Sequence, residues 1–187
     1  MTLHLTTSTQ DRAQLEGPRL RGRAARRERR HLVRQDRLSA HLAELHHIQT
    51  LIADARTVVC GGWVQNGWFT YRDEEGVEYT ATTQDLPLVE DRPVTGACLV
   101  GAIVAAGGGP QEARTQPVQR ALDLTWHTLY GGHQRVHWCP SPQARTDHMC
   151  DLTRWNDQPG RTPQEVTALL HLVERAAAVE IERVRAL

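Results

Sequence analysis

Lysine is absent from this chain: all 22 basic residues are arginine. Arginine is always charged and makes forked contacts to phosphate and carboxylate, although codon usage in a GC-rich genome is the simpler account of the bias. Phenylalanine occurs once and tyrosine three times, against five tryptophans. No stretch reaches the roughly 18 apolar residues a membrane span needs. The opening residues, Met1 to Gln10, hold no apolar core of signal-peptide length. A cytoplasmic protein with no membrane partner is the expectation, and its four cysteines read as free thiols or metal ligands rather than disulfides. Internal repeats are missing, as are the C-x2-C pairs of common zinc motifs.

What is present is unevenly distributed. The formal net charge is zero, yet residues 1–37 hold ten arginines against Asp11, Glu16, Glu28 and Asp36, a surplus of six positive charges balanced by a deficit of six in the rest. A basic arm over 1–37, disordered or helical, ahead of one globular domain over 38–187 follows from that split and from the length. Residues 1–17 are polar and threonine-rich. From Arg19 the chain is rich in Ala, Leu, Arg and Glu, good helix formers. Leu38, Leu42, Leu45, Ile48, Ile52 and Ala55 then keep the 3-4 spacing of a buried helical stripe, broken around Cys60-Gly-Gly-Trp63.

Gly67–Tyr71 and Val77–Ala81 are aromatic and β-branched runs flanking an Arg72-Asp-Glu-Glu-Gly76 loop. They predict a β-hairpin in which Trp68, Tyr71 and Tyr79 can pair. The segment from Pro93 to Gly107 is the longest uncharged apolar run. It predicts a buried central helix capped at Thr95, with Cys98 in its first turn and a stop at Gly107-Gly-Gly-Pro110. Its small face, Cys98, Gly101, Ala102 and Ala105, invites close approach by another helix, expected to be the one after Thr162. Gln116–Tyr130 is helical, with Val118, Ala121, Leu122, Thr125 and Leu129 on one side and Pro117 in the first turn. Residues 131–146 read as irregular, followed by a short helix through Met149, Cys150 and Leu152. Thr162-Pro-Gln-Glu165 is a capping box opening a last helix striped by Val166, Leu169, Leu170, Val173, Ala177, Ile181 and Val184. The fold class is therefore mainly α (α+β), a small helical domain with one short β-hairpin behind a basic helical arm.

Four groups could carry chemistry. Arg19, Arg21, Arg23, Arg26, Arg27, Arg29 and Arg30 could follow nucleic-acid phosphates or an acidic protein; no aromatics interleave with them, so base stacking is not indicated, and a solvated helix end has the same composition. The His133-x3-His137-x-Cys139 and His148-x-Cys150 pairs supply zinc's preferred donors, with His133, His137, Cys139 and Cys150 as the ligand set and surface loop histidines as the plain alternative. Cys98 at a helix start, with His127, His137 or Asp157 elsewhere, has the minimal layout of a Cys-dependent hydrolase or transferase; a small buried core residue looks the same. Trp155-Asn-Asp-Gln-Pro-Gly-Arg161 is a turn pinned by tryptophan whose Asn156, Asp157 and Arg161 could line a ligand site.

Three of these motifs occur together in the order Gly62-Trp63 with Arg72-Asp73-x-x-Gly76, then Cys98-x-x-Gly101-Ala102, then Trp155-Asn-Asp-x-Pro-Gly-Arg-Thr-x-x-Glu-Val166. In that order, over roughly residues 40–185, the chain resembles a family of small bacterial proteins, frequent in actinobacteria and their phages, of unknown function. The resemblance implies that the Cys98 helix and the Trp155 turn belong to one small-domain design; it implies no activity, and it leaves out the arginine arm and the His/Cys stretch. The reading that results is a non-enzymatic intracellular binding or regulatory module, its arm on nucleic acid or an acidic partner. No cofactor is called for unless zinc. The alternatives are a Cys98 enzyme and a zinc-stabilised interaction domain.

Overall fold

The structure, a computed structural model, describes residues 22–82, 84–85, 92–131, 138–139 and 141–187. The chain divides into two units, Met1–Ser39 and Ala40–Leu187. Helix α1 spans Arg23–Gly61. In the first unit it is exposed at every position from Arg26 to Arg37. In the second unit its 3-4 stripe is buried at Leu45, Ile48, Leu51, Ile52, Ala55 and Val59. Leu38 and Leu42, expected on the same stripe, are only partly buried.

Beyond Gly61 the chain turns back against the sheet. The Gly62 carbonyl accepts from the Ala97 amide at 2.8 Å, and the Val64 amide donates to the Ala97 carbonyl at 3.3 Å. A Cβ at Gly62 would run into the Thr95 carbonyl, so this close approach requires glycine. Strands β1 (Phe69–Arg72), β2 (Glu78–Ala81) and β3 (Val94–Ala97) form an antiparallel sheet in the order β2-β1-β3. The β1–β2 hairpin is as expected: Tyr71 pairs with Tyr79, and their rings stack at 5.7 Å. Trp68 lies outside that pair, edge-on to Phe69.

The apolar run departs from its expected form. Val94–Ala97 is a third strand, with Phe69 opposite Ala97 and Thr70 opposite Gly96. Helix α2 is therefore short, Leu99–Ala106, and its N-cap is Cys98 rather than Thr95. The Cys98 thiol sulfur accepts from the Gly101 amide at 3.3 Å. Pairing with β1 satisfies the backbone of Val94–Ala97 as well as a helical turn would, and β-branched Val94 and Thr95 favour it. The small face of α2 also meets something other than the last helix. A Cβ at Gly101 would strike the Trp68 carbonyl and lie 3.3 Å from a Phe69 ring carbon. The partner is the backbone entering β1. All six residues from Leu99 to Val104 are buried.

After α2 a 3-10 turn, Pro110–Arg114, leads into α3 (Gln116–Tyr130). Helix α4 spans Pro142–Asn156, well longer than the short helix expected around Met149. Its start is local: Ser141 is the N-cap, accepting from the Ala144 amide, and Pro142 occupies the first turn, where its missing N–H costs nothing. Helix α5 (Pro163–Arg185) opens on the Thr162/Glu165 capping box, complete in both directions, and its predicted stripe is buried throughout. The fold is thus mainly α with a small three-stranded sheet. Its core gathers side chains from α1 (Ile48, Ile52), β1 (Phe69), α2 (Leu99, Ile103), α4 (Leu152) and α5 (Leu170). Arg120 of α3 pairs with Glu44 of α1, and Arg56 of α1 reaches Glu174 of α5 at 3.7 Å. Among the described residues no helix is long and apolar enough to cross a membrane.

Candidate metal centre

Asp123 and His127 lie four residues apart on α3, so the helix places them one above the other on a single face. Helix α4 packs against that face and presents His148. The segment leading into α4 contributes Cys139, whose amide donates to Asp123 Oδ2 at 2.7 Å and whose carbonyl accepts from the Arg145 guanidinium at 3.0 Å. One donor atom from each of Asp123, His127, Cys139 and His148 lies within 4.8 Å of the other three. The individual separations are 2.7 Å for His148 Nδ1 to Asp123 Oδ1, 3.8 Å for His127 Nε2 to Asp123 Oδ1, and 3.7 Å for Cys139 Sγ to His127 Nε2. Tetrahedral zinc, with bonds of about 2.0–2.3 Å, holds its ligand atoms roughly 3.3–3.8 Å apart. Two of the three separations fall at that spacing. The His148–Asp123 hydrogen bond is shorter, and a shared ion would open it.

The surroundings orient these donors. Asp123 is 2% exposed, and a buried carboxylate is tolerable only when bonded; the Cys139 amide and the His148 imidazole satisfy it. His148 lies flat against the Trp126 indole, 3.8 Å between centroids. The indole N–H in turn donates to Asp151 at 3.1 Å. His127 packs edge-on to Trp126 and to His148. Its side chain keeps 27% exposure, so the cluster reaches the surface on that side. The Cys139 thiol is pushed above its ordinary value by burial, and further by a hydrogen bond to Asp123 and by that carboxylate's charge.

This set overlaps the expected zinc ligands only at Cys139. His133 and His137 lie outside the described residues. Cys150 is exposed and sits two positions from His148, about 200° round the helix, so only one of the two can face α3. It opens instead onto a groove of about 500 Å³ lined also by Asn66, Trp68, Thr153 and Asp157. Asp123 escaped the sequence reading; His148 figures there in a donor pair but not in the ligand set, and His127 as a catalytic partner of Cys98. The available signal was the Asp123-x3-His127 pair, a carboxylate and an imidazole at i, i+4 on a helix already predicted.

Of the other expected site residues, Cys98 and Asp157 come near one another, while His127 belongs to the cluster above. Cys98 is 0% exposed. Burial pushes its thiol up to about 12, outweighing the hydrogen bonds from the Gly101 and Val100 amides that pull it down; the Asp157 charge raises it further. The helix start that could have favoured a thiolate is overruled by desolvation. His127 keeps company with Cys139 rather than with a buried thiol on α2. Asn156, also 0% exposed, has its amide fully used. Its oxygen accepts from the Trp63 indole at 2.9 Å and the Leu99 amide at 3.0 Å, and its nitrogen donates to the Val64 carbonyl and to Asp157. Those are all four bonds a carboxamide can make. Asp157 also accepts from the Asn66 amide. Arg161 stacks over Trp155 at 3.9 Å and pairs with Glu165. The Trp155–Arg161 turn thus fastens four segments together. Arg19 and Arg21 lie outside the described residues, while Arg23, Arg26, Arg27, Arg29 and Arg30 are exposed on α1.

No curated protein and no solved structure matches the chain. A family model does, over residues 43–178, a span that contains all four donors and the Trp155 turn but not the basic start of α1. With that match the chain belongs to a family of unknown function (DUF6197).

Proposed function

We propose that the Ala40–Leu187 unit is a non-enzymatic binding module stapled by a zinc ion held by Asp123, His127, Cys139 and His148. The observation that carries this reading is the convergence of one oxygen, two nitrogen and one sulfur donor within 4.8 Å, drawn from two helices and the segment that precedes the second. Imidazole and thiolate are the donors zinc selects over calcium or magnesium. Four protein ligands close the coordination shell, which is the arrangement of a structural rather than a catalytic site. The ion would bind Cys139 as thiolate and tie α3 to the N-terminal end of α4.

A Cys-dependent enzyme is less well supported. Cys98 is sealed in the core with its thiol held protonated. Cys139 does touch an imidazole, but burial first and the neighbouring Asp123 carboxylate after it raise the thiol instead of activating it.

The test is metal analysis of untagged protein. About one equivalent of zinc per chain is expected, and it should fall away in Cys139→Ser and His148→Ala while Cys150→Ser retains it. Cobalt reconstitution should give a thiolate-to-metal charge-transfer band that Cys139→Ser abolishes. Metal content below about a tenth of an equivalent after growth and refolding with zinc would remove the proposal.

A further inference from the structure

The basic residues of the first unit are ordered about the axis of α1. Between Arg23 and Arg37 there are seven arginines and two acids. At about 100° per residue, Arg23, Arg26, Arg27, Arg30, Arg34 and Arg37 fall within an arc of about 100°. Glu28 and Asp36 fall on the opposite side, and Arg29 alone stands off the stripe. Every residue from Arg26 to Arg37 is exposed, as is Arg23. A helix end that is merely solvated needs no such segregation; mixed i, i+4 pairs of opposite charge would stabilise it better. Here the spacing places like charges side by side, which costs stability unless something anionic lies along them.

We propose that this stripe binds the phosphate backbone of double-stranded nucleic acid without reading its sequence. From Arg23 to Arg37 the helix rises about 21 Å, the length of about six phosphates along one strand of duplex. Guanidinium groups suit phosphate in both charge and fork geometry. The stretch carries no Trp, Tyr or Phe to stack on unpaired bases, which favours duplex over single strands. Phosphate contacts fix position and carry no base information. The stripe lies outside residues 43–178 matched by the family model and shares no residue with the Asp123, His127, Cys139 and His148 cluster.

The experiment uses the full chain and a labelled short DNA duplex of arbitrary sequence, titrated by fluorescence anisotropy across a salt series. Affinity should fall about a thousandfold between about 50 and 200 mM salt, a log–log slope near −5 for six contacts. Arg26→Gln with Arg30→Gln should reduce that slope by about 1.8. Arg29→Gln with Arg175→Gln removes the same charge off the stripe and should leave the slope close to that of the parent. Circular dichroism checks that both pairs keep their helix. Equal losses from the two pairs, an absence of salt-dependent binding to the duplex, or tighter binding to a polyglutamate peptide than to the duplex at the same salt would each overturn the proposal.

Discussion

The imidazole of His148 lies parallel to the indole of Trp126, 3.8 Å away and tilted by 7°. A ligand ring that is free to rotate binds a metal poorly, and groups that orient such rings commonly matter by 10- to 100-fold in affinity. Trp126 sets the plane of His148, and its own indole is anchored by Asp151. Trp126→Leu should therefore weaken zinc binding by roughly 10-fold or more while leaving all four donors in place. Competition against a chromophoric chelator measures this. Unchanged affinity would mean that Trp126 is only packing.

The proposed zinc site also predicts that a chelator loosens the Ala40–Leu187 unit. A ligand that binds only the folded state at 100 times its dissociation constant adds about 2.7 kcal/mol. Thermal scans with excess zinc and with chelator should then separate by several degrees. The separation should vanish in His148→Ala.

Gly101 offers a test of sign. In a helix interior, Gly→Ala ordinarily stabilises by about 0.5–1 kcal/mol. At Gly101 the added methyl meets the Trp68 carbonyl, a backbone atom held by its bond from the Cys98 amide. Overpacking of this kind costs about 1–3 kcal/mol. Gly101→Ala should be destabilising by urea titration, and a stabilised variant would contradict the packing described for α2.

Asn156→Leu should cost about 3–5 kcal/mol, since it strands the Trp63 indole, the Leu99 amide and the Val64 carbonyl in the interior. Asn156→Asp keeps the acceptor and loses the donor toward Val64, so it should be destabilising as well. A loss under about 1 kcal/mol in urea unfolding would show that water reaches these groups.

Glu165 gives the fold a pH signature. Its carboxyl accepts from the Thr162 amide and hydroxyl, and its pKa is held below the ordinary 4.5 by those bonds first and by Arg161 afterwards. A depressed folded-state pKa contributes stability that is present above the unfolded value and lost as pH falls through the folded one. The stability gap between parent and Glu165→Gln should be constant near neutrality and should narrow with acidification below about pH 4.5. A gap that stayed flat into that range would rule out the charged form of the capping box.

The legibility of the chain followed the range of its interactions. Helix α5 was readable from end to end because its cap closes within four residues, Thr162 to Glu165, and its stripe is periodic. The Tyr71–Tyr79 hairpin was readable for the same reason. Val94–Ala97 was not, because its apolar sequence suits a helix equally well and only β1, some 25 residues away, decides the matter. The four-donor cluster was half legible. Cys139 stood out by residue type, but Asp123 looks like any helical acid until α4 sets His148 beside it, and that juxtaposition is a property of packing. Asn156 is legible as a turn residue that could line a ligand site, whereas its partners Trp63, Val64 and Leu99 lie 57 to 93 positions away.

Helix α4 is gripped at its middle and at its last turn. Asn156 joins its last turn to the chain after α1 and to the start of α2, and His148, eight residues earlier, joins it to α3. The stretch between the two clamps cannot fray from either side. The amide protons between His148 and Asn156 should exchange with solvent only when the whole unit opens, with protection factors that report the global free energy rather than local breathing. His148→Ala would release the clamp to α3, and exchange should then spread further from Pro142 inward while the amides near Asn156 stay protected.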